Sequence, residues 1–151
     1  MLRARLNDAL KEAMKNRDEL KVNTVRLILA ALKDRDIAGR GKGKLSEIGE
    51  DEILSMLQSM IKQRNESIKL YEQGNRKELA DQERAEIEVI RTFLPEPMSE
   101  ADMADAIQKA IGEVGATSIK EMGKVMSVLK ERYAGRMDFA KASSAVKERL
   151  G

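Results

Sequence analysis

Residues 50–73 read EDEILSMLQSMIKQRNESIKLYEQ and residues 76–94 read RKELADQERAEIEVIRTFL, with Gly74 and Asn75 between them. In the first stretch Ile53, Leu57, Met60, Ile61, Ile68 and Tyr71 recur mostly at three- and four-residue steps. In the second, Leu79, Ile87, Ile90 and Leu94 do much the same. That period puts each set on one face of a helix. At 1.5 Å per residue the first helix is roughly 35 Å long. Gly74 is expected to supply the left-handed residue that ends it, and Asn75 to cap the helix that follows. So short a turn makes the two helices antiparallel neighbours, with facing residues whose numbers sum to about 149. Ile61 then faces Ile87, and Ile68 faces Leu79 and Ala80.

Arg64 breaks the apolar stripe between Ile61 and Ile68. The same register sets it opposite Glu83 and Glu86. A half-buried guanidinium needs a carboxylate in fork geometry. One reading is a structural pair of Arg64 with Glu83 or Glu86 that fixes hairpin register. The other is an anion site at the hairpin's waist.

Upstream, residues 2–16 place Leu2, Leu6, Ala9, Leu10, Ala13 and Met14 on one helical face. Asp18 is suited to cap a second helix over 19–37, with Val22, Val25, Leu29 and Leu32 as its stripe, widened by Leu27, Ile28 and Ala31. Its middle, VRLILAALK, is the most apolar stretch of the chain, so this helix is expected to be the best buried of its bundle. Arg26 and Lys33 flank the stripe, with stems able to cover apolar surface. Residues 39–50 read GRGKGKLSEIGE. A Walker loop needs four residues between its glycines and then Lys with Ser or Thr, a spacing absent here. The stretch reads as a flexible linker, or as a basic arm that touches phosphates.

Downstream, Pro95 and Pro97 each bias the preceding residue away from helix, which marks a boundary. Ser99 with Asp102, and Ser118 with Glu121, have capping-box spacing, and Asp138 is suited to cap a last helix. Gly115 and a position near Gly135 end the first two of these three helices. The fold expected is all-α: a helical N-terminal domain, residues 1–94, with a long antiparallel hairpin, and a small three-helix C-terminal domain, residues 95–151.

Composition narrows the chemistry. The chain has 151 residues, no Cys and no His. That excludes disulfides, thiol nucleophiles, His general bases, Ser–His triads and the usual zinc sites. No cofactor and no metal are expected. Aromatics are 3%, too few for a base-stacking platform. No apolar run reaches membrane-spanning length, and the N-terminus lacks a signal-peptide core, so a cytoplasmic protein without a membrane partner is expected. Net charge is +2 but unevenly placed. Residues 95–117 hold one base and five acids, a net of −4, and residues 118–151 hold eight bases and four acids, a net of +4. A basic terminal segment is a candidate face for nucleic acid.

Three blocks carry a family resemblance: TVRLILAALKDRDI at 24–37, MIKQRNESIKLYEQGNRKELADQERAEIEVIRTFLP at 60–95, and EMGKVMSVLKERYAGRMD at 121–138 followed by VKERL. Together they resemble the GatB/YqeY family over nearly the whole chain, with the length of its stand-alone YqeY type. The resemblance implies a C-terminal module similar to the tRNA-contacting tail of the B subunit of the glutamine-dependent tRNA amidotransferase. It also implies that the catalytic domain of that enzyme is absent. The matching tail motif is Gly123-Lys124-Val125-Met126 and then Gly135-Arg136-Met137-Asp138. Gly123 is expected to permit close helix approach. Arg136 is expected beside the N-terminus of the last helix, where anions are favoured.

The leading expectation is a non-catalytic accessory protein. It would bind tRNA or a tRNA-linked partner through Lys120, Lys124, Lys130, Arg132, Arg136 and Lys147. Two rivals stand beside it. One is carbon–nitrogen ligation with glutamine as amide donor, assigned by family association alone. The other is a protein–protein adaptor that uses the charged faces of the hairpin.

Overall fold

The computed structural model describes residues 1–41 and 47–151. Among them run α1 Leu2–Lys15, α2 Glu19–Gly41, α3 Glu50–Gln73, α4 Lys77–Arg91, α5 Glu100–Val114, α6 Met122–Tyr133 and α7 Phe139–Leu150. A 3₁₀ turn, Ile119–Glu121, precedes α6. No described residue lies in a strand, so the chain is all-α. It divides into two compact units, Met1–Leu94 and Pro95–Gly151.

In the first unit α1, α2, α3 and α4 close on one core. Leu6, Val25, Ile28, Leu57 and Ile90 are at its centre, each fully buried. These are the residues that recur at helical spacing, and their burial supplies the main stabilisation of the bundle. Thr24 is buried among them and is satisfied by donating its hydroxyl to Leu20 O at 2.8 Å. Two contacts hold α1 at the mouth of the hairpin. The Leu2 N–H donates to Glu50 Oε1 at 2.8 Å. Arg5 donates to Thr92 O at 2.9 Å and lies over the Phe93 ring.

α2 departs from expectation twice. It continues through Gly41 instead of stopping at Ile37. A clamp sits just before this extra turn. Asp36 accepts from both outer nitrogens of Arg3, at 3.0 and 2.9 Å, and from the Ile48 N–H at 2.9 Å. Arg3 also donates to Ile48 O at 3.0 Å. These bonds fix the end of α2 against α1 and against the residues before α3. Linker character therefore fails at Gly39–Gly41, which is helical, and at Ile48, which is buried. Lys42 and Lys44, the rest of the proposed basic arm, lie outside the described residues. The second departure is burial. Leu27 is 49% and Ile37 53% exposed, so the most apolar stretch is buried along one side only.

The hairpin turn is built differently from the expected one. Asn75, not Gly74, takes the left-handed conformation, with φ 57°. The Arg76 N–H reaches back to Tyr71 O at 2.8 Å and the Asn75 N–H to Glu72 O at 3.3 Å. This double bond pattern is a Schellman motif whose left-handed position tolerates Asn. Arg76 rather than Asn75 precedes α4, and no side chain caps that helix. α1 ends in the same way on Arg17, with φ 54°.

At the waist of the hairpin the Arg64 Nε lies 2.9 Å from Glu86 Oε2 and 3.7 Å from Glu83 Oε2. Arg64 Nη1 also donates to its own helix at Met60 O, 3.2 Å away. The acids occupy the place that an anion would need, so the anion-site reading is withdrawn. One turn to one side lies Met60 of the main core. One turn to the other lies Ile68, which with Ala80 and Ile87 forms a separate apolar cluster. Burial pushes the Glu83 carboxyl above the usual range, reinforced by the neighbouring Glu86 charge, which outweighs the pull of Arg64.

Candidate nucleic-acid interface

The second unit is three helices around Ile107, Val125, Leu129, Met137 and Val146. Its helix ends follow from local chemistry. Ser99 Oγ accepts the Asp102 N–H at 3.1 Å and starts α5, and Gly115 at φ 72° ends it. Asp138 Oδ1 accepts the N–H groups of Ala140 and Lys141, at 3.0 and 3.3 Å, and starts α7. The Ser118–Glu121 box does not form. Ser118 makes no side-chain cap, and Glu121 Oε2 instead accepts the Thr117 N–H at 2.8 Å. The 3₁₀ turn moves the start of the α-helix to Met122, so the spacing expected of a cap no longer lines up.

Each candidate cation is exposed, yet they differ in what they can offer. Arg132 pairs with Glu113 of α5. That hydrogen bond pulls the Glu113 carboxyl below its usual range and pushes Arg132 above its own. Arg136 is tied to the proline segment: its Nε donates to Glu96 O at 3.2 Å, and its carbonyl accepts the Met98 N–H at 3.0 Å. It lines a shallow groove together with Asp102, Asp105, Lys109 and Tyr133. The anion place at the start of α7 is already filled by the Asp138 carboxylate. The expectation of an anion between Arg136 and that helix end therefore loses its basis.

Lys120, Lys124, Lys130 and Lys147 make no ion pair among the described residues. Lys120, in the 3₁₀ turn, and Lys124, in the first turn of α6, stand four residues apart across the junction of the two. Lys130 is six residues beyond Lys124 and so roughly 120° away around the helix. Lys147 is on another helix. The six candidates do not form one patch. Gly123, next to Lys124 at the start of α6, is exposed, and a Cβ there would meet nothing within 4 Å. It is not a close-packing glycine. Met137, by contrast, is only 1% exposed and fills the core.

Three basic residues of this unit are not among the candidates: Lys109, which lines the groove beside Arg136, Lys141 and Arg149. Arg149 donates to Gln108 Oε1 at 2.8 Å and ties α7 to α5. Lys141 is exposed on α7 and makes no ion pair among the described residues, and the same count of bases that selected Lys147 could have found it. No described group of His, Cys, Asp or Glu could hold a metal ion, and no described helix is long and apolar enough to cross a membrane.

A chain of two compact all-helical units, the first with a charged-waist hairpin, defines a class of small helical proteins without a metal centre among the described residues. The family model described as Yqey-like protein matches residues 3–150, and the chain belongs to that family. Among its relatives is the Altered inheritance of mitochondria protein 41, mitochondrial, of Candida glabrata. It is 37% identical over 98 residues, 64% of this chain and 52% of the relative. The protein of that name from Lachancea thermotolerans is 31% identical over 113 residues, 74% of this chain and 58% of the relative. The one from Saccharomyces cerevisiae strain YJM789 is 27% identical over 128 residues, 83% and 67% of the two chains. The chain spans about half to two thirds of the length of these relatives. Their names place them in mitochondria, a compartment different from the cytoplasm expected of this chain.

Proposed function

We propose that this protein is a non-catalytic accessory protein whose C-terminal unit docks the phosphates of tRNA, or of a tRNA-linked partner, through Lys120 and Lys124. The observation that carries the reading is their placement. Both are exposed and make no ion pair among the described residues, they flank the open Gly123, and they stand beside the start of α6, where the helix dipole favours anions. Lys130 and Lys147 add charge at a distance. Arg132 and Arg136 contribute less, because each already serves another group. Tyr133 and Phe139 are half-buried, so phosphates rather than bases supply the affinity.

The test is tRNA affinity across a salt series for the intact protein and for the Lys120→Ala/Lys124→Ala variant. The intact protein is expected to bind with a steep salt slope. The variant is expected to lose about 0.9 of slope per phosphate contact removed. Absence of tRNA binding at low salt overturns the reading. Glutamine- or ammonia-dependent transamidation by the purified chain would replace it with carbon–nitrogen ligation. The proposed setting is the cytoplasm, and fractionation that finds the protein in an organelle overturns that part alone.

A further inference from the structure

α2 has two faces, and the core uses only one. Val25, Ile28 and Leu32 are buried, while on the far side Leu20, Leu27 and Ile37 stay 37%, 49% and 53% exposed. Exposed apolar residues scattered singly are ordinary. These are not scattered. Leu20, Leu27 and Asp34 recur every seven residues, and Asn23, Ala30 and Ile37 follow each of them by three. That is the a and d spacing of a coiled-coil seam. Arg26, Lys33 and Arg40 also repeat every seven residues, in the flanking g position. They form a row roughly 21 Å long. All three are exposed, and none makes an ion pair among the described residues. Arg40 acts on Asp36 only through its field, since Asp36 is bound by Arg3.

We propose that this face of α2 is the docking seam for an acidic amphipathic helix of a partner protein. The partner's Leu or Ile residues would cover Leu20, Leu27, Ala30 and Ile37, and its Glu or Asp residues would meet Arg26, Lys33 and Arg40. Charge argues against a second copy of this chain. Antiparallel pairing would set the cation row against itself, and parallel pairing would set it against Ala31 and Ala38, which offer no acid. Asp34 argues against a lipid surface, where a carboxylate in the seam would be left without a partner; a protein helix can set a Lys or Arg opposite it. A phosphate backbone would meet the cation row but leave Leu20, Leu27 and Ile37 uncovered. The inference stands apart from tRNA binding, because it uses none of the C-terminal lysines.

The probe is a synthetic heptad peptide with Leu at a and d, Glu at the flanking positions, and one Lys set to meet Asp34. Its flanking Glu residues repel one another and oppose self-pairing. Titrated into the full chain it is expected to bind saturably. The Arg26→Glu/Lys33→Glu/Arg40→Glu variant is expected to weaken it about tenfold or more, and Leu27→Ser/Ile37→Ser likewise. Helical content by circular dichroism is expected to be unchanged in both, since every altered side chain is exposed. Lys33→Glu alone, a minimal exposed change, is expected to weaken binding about threefold. A peptide with Lys at the flanking positions is expected not to bind. The proposal is overturned if the acidic peptide fails to bind, or if it binds the charge-reversed variants as well as the intact protein. It is also overturned if the reversals abolish binding to phosphatidylserine vesicles or tRNA while the peptide never binds.

Discussion

Arg64 Nε donates to Glu86 Oε2 at 2.9 Å across the two arms of the hairpin. Both side chains are largely removed from water, 13% and 14% exposed. The pair separates the main core on the Met60 side from the Ile68 cluster on the other. A shift of one residue in the pairing of α3 with α4 would leave this charge among apolar groups. The pair therefore acts on register as much as on stability.

Replacing Arg64 with Leu leaves two acids, Glu83 and Glu86, facing each other without a cation. Breaking an exposed pair costs about 0–1 kcal/mol and a buried one about 3–5. At this degree of burial a loss of about 3 kcal/mol is expected. Adding Glu86→Leu to Arg64→Leu is expected to restore most of it, because the uncompensated charge goes with the partner. Urea unfolding of the two variants and the intact protein measures both. A single variant as stable as the intact protein would show that the pair contributes nothing.

Glu83 sets a pH dependence of opposite sign to that of Asp36. The Glu83 carboxyl is held above its ordinary 4.5 by burial and by Glu86. The folded protein therefore keeps this proton longer than the unfolded chain does. Stability is unimpaired below 4.5 and falls as pH rises through the raised value. Asp36 is held below 3.8 by the Arg3 hydrogen bond, so its contribution is present above 3.8 and is lost as pH falls through the lowered value. Glu83→Gln is expected to match the intact protein in acid and to exceed it in stability at neutral pH. Unfolding midpoints across a pH series check this. Curves that stay parallel at all pH values would contradict it.

The reading of the hairpin from sequence rested on one physical fact, that side-chain period and turn length together set register. That fact was enough to bring Arg64 level with Glu83 and Glu86. It could not reach the Arg3–Asp36–Ile48 clamp: Arg3 belongs to another helix, Ile48 follows a stretch with no periodicity, and the three meet only in three dimensions. For the same reason the end of α2 was read too short. Local propensity stops a helix at glycine, whereas here α2 runs on through the buried Gly39. In the C-terminal unit the basic residues were visible as a count. Their partners were not, and it is the partners that set Arg132 and Arg136 apart from Lys120 and Lys124.

Arg17 closes α1 at φ 54°, a conformation disfavoured for a side chain with a Cβ. Its backbone place is the one that glycine fills at most helix ends. Arg17 is exposed and makes no ion pair among the described residues, so its side chain offers no compensation. Arg17→Gly is expected to raise stability by about 0.5–1 kcal/mol. Asn75→Gly, at φ 57°, is expected to gain less, because Asn tolerates this region. Thermal melts of the two variants give the comparison. A larger gain at Asn75 than at Arg17 would refute the strain argument.

Lys124 and Arg136 belong to one motif in the sequence, and the structure gives them different work. The Arg136 Nε bond to Glu96 O is an exposed hydrogen bond, worth about 0.5–1.5 kcal/mol. Arg136→Ala is expected to lower stability by about 1 kcal/mol and to leave the salt slope of tRNA binding nearly unchanged. The Lys124 side chain makes no hydrogen bond or ion pair among the described residues. Lys124→Ala is expected to leave stability within about 0.5 kcal/mol and to reduce the salt slope by about 0.9. The two variants should therefore separate cleanly when unfolding and tRNA titration are measured on the same preparations. The outcome that sinks the assignment is the reverse one. If Arg136→Ala weakens tRNA binding as much as Lys124→Ala at unchanged stability, Arg136 is itself a phosphate contact. The bound RNA would then have to lie along the groove beside Asp102 and Asp105, where two carboxylates oppose it.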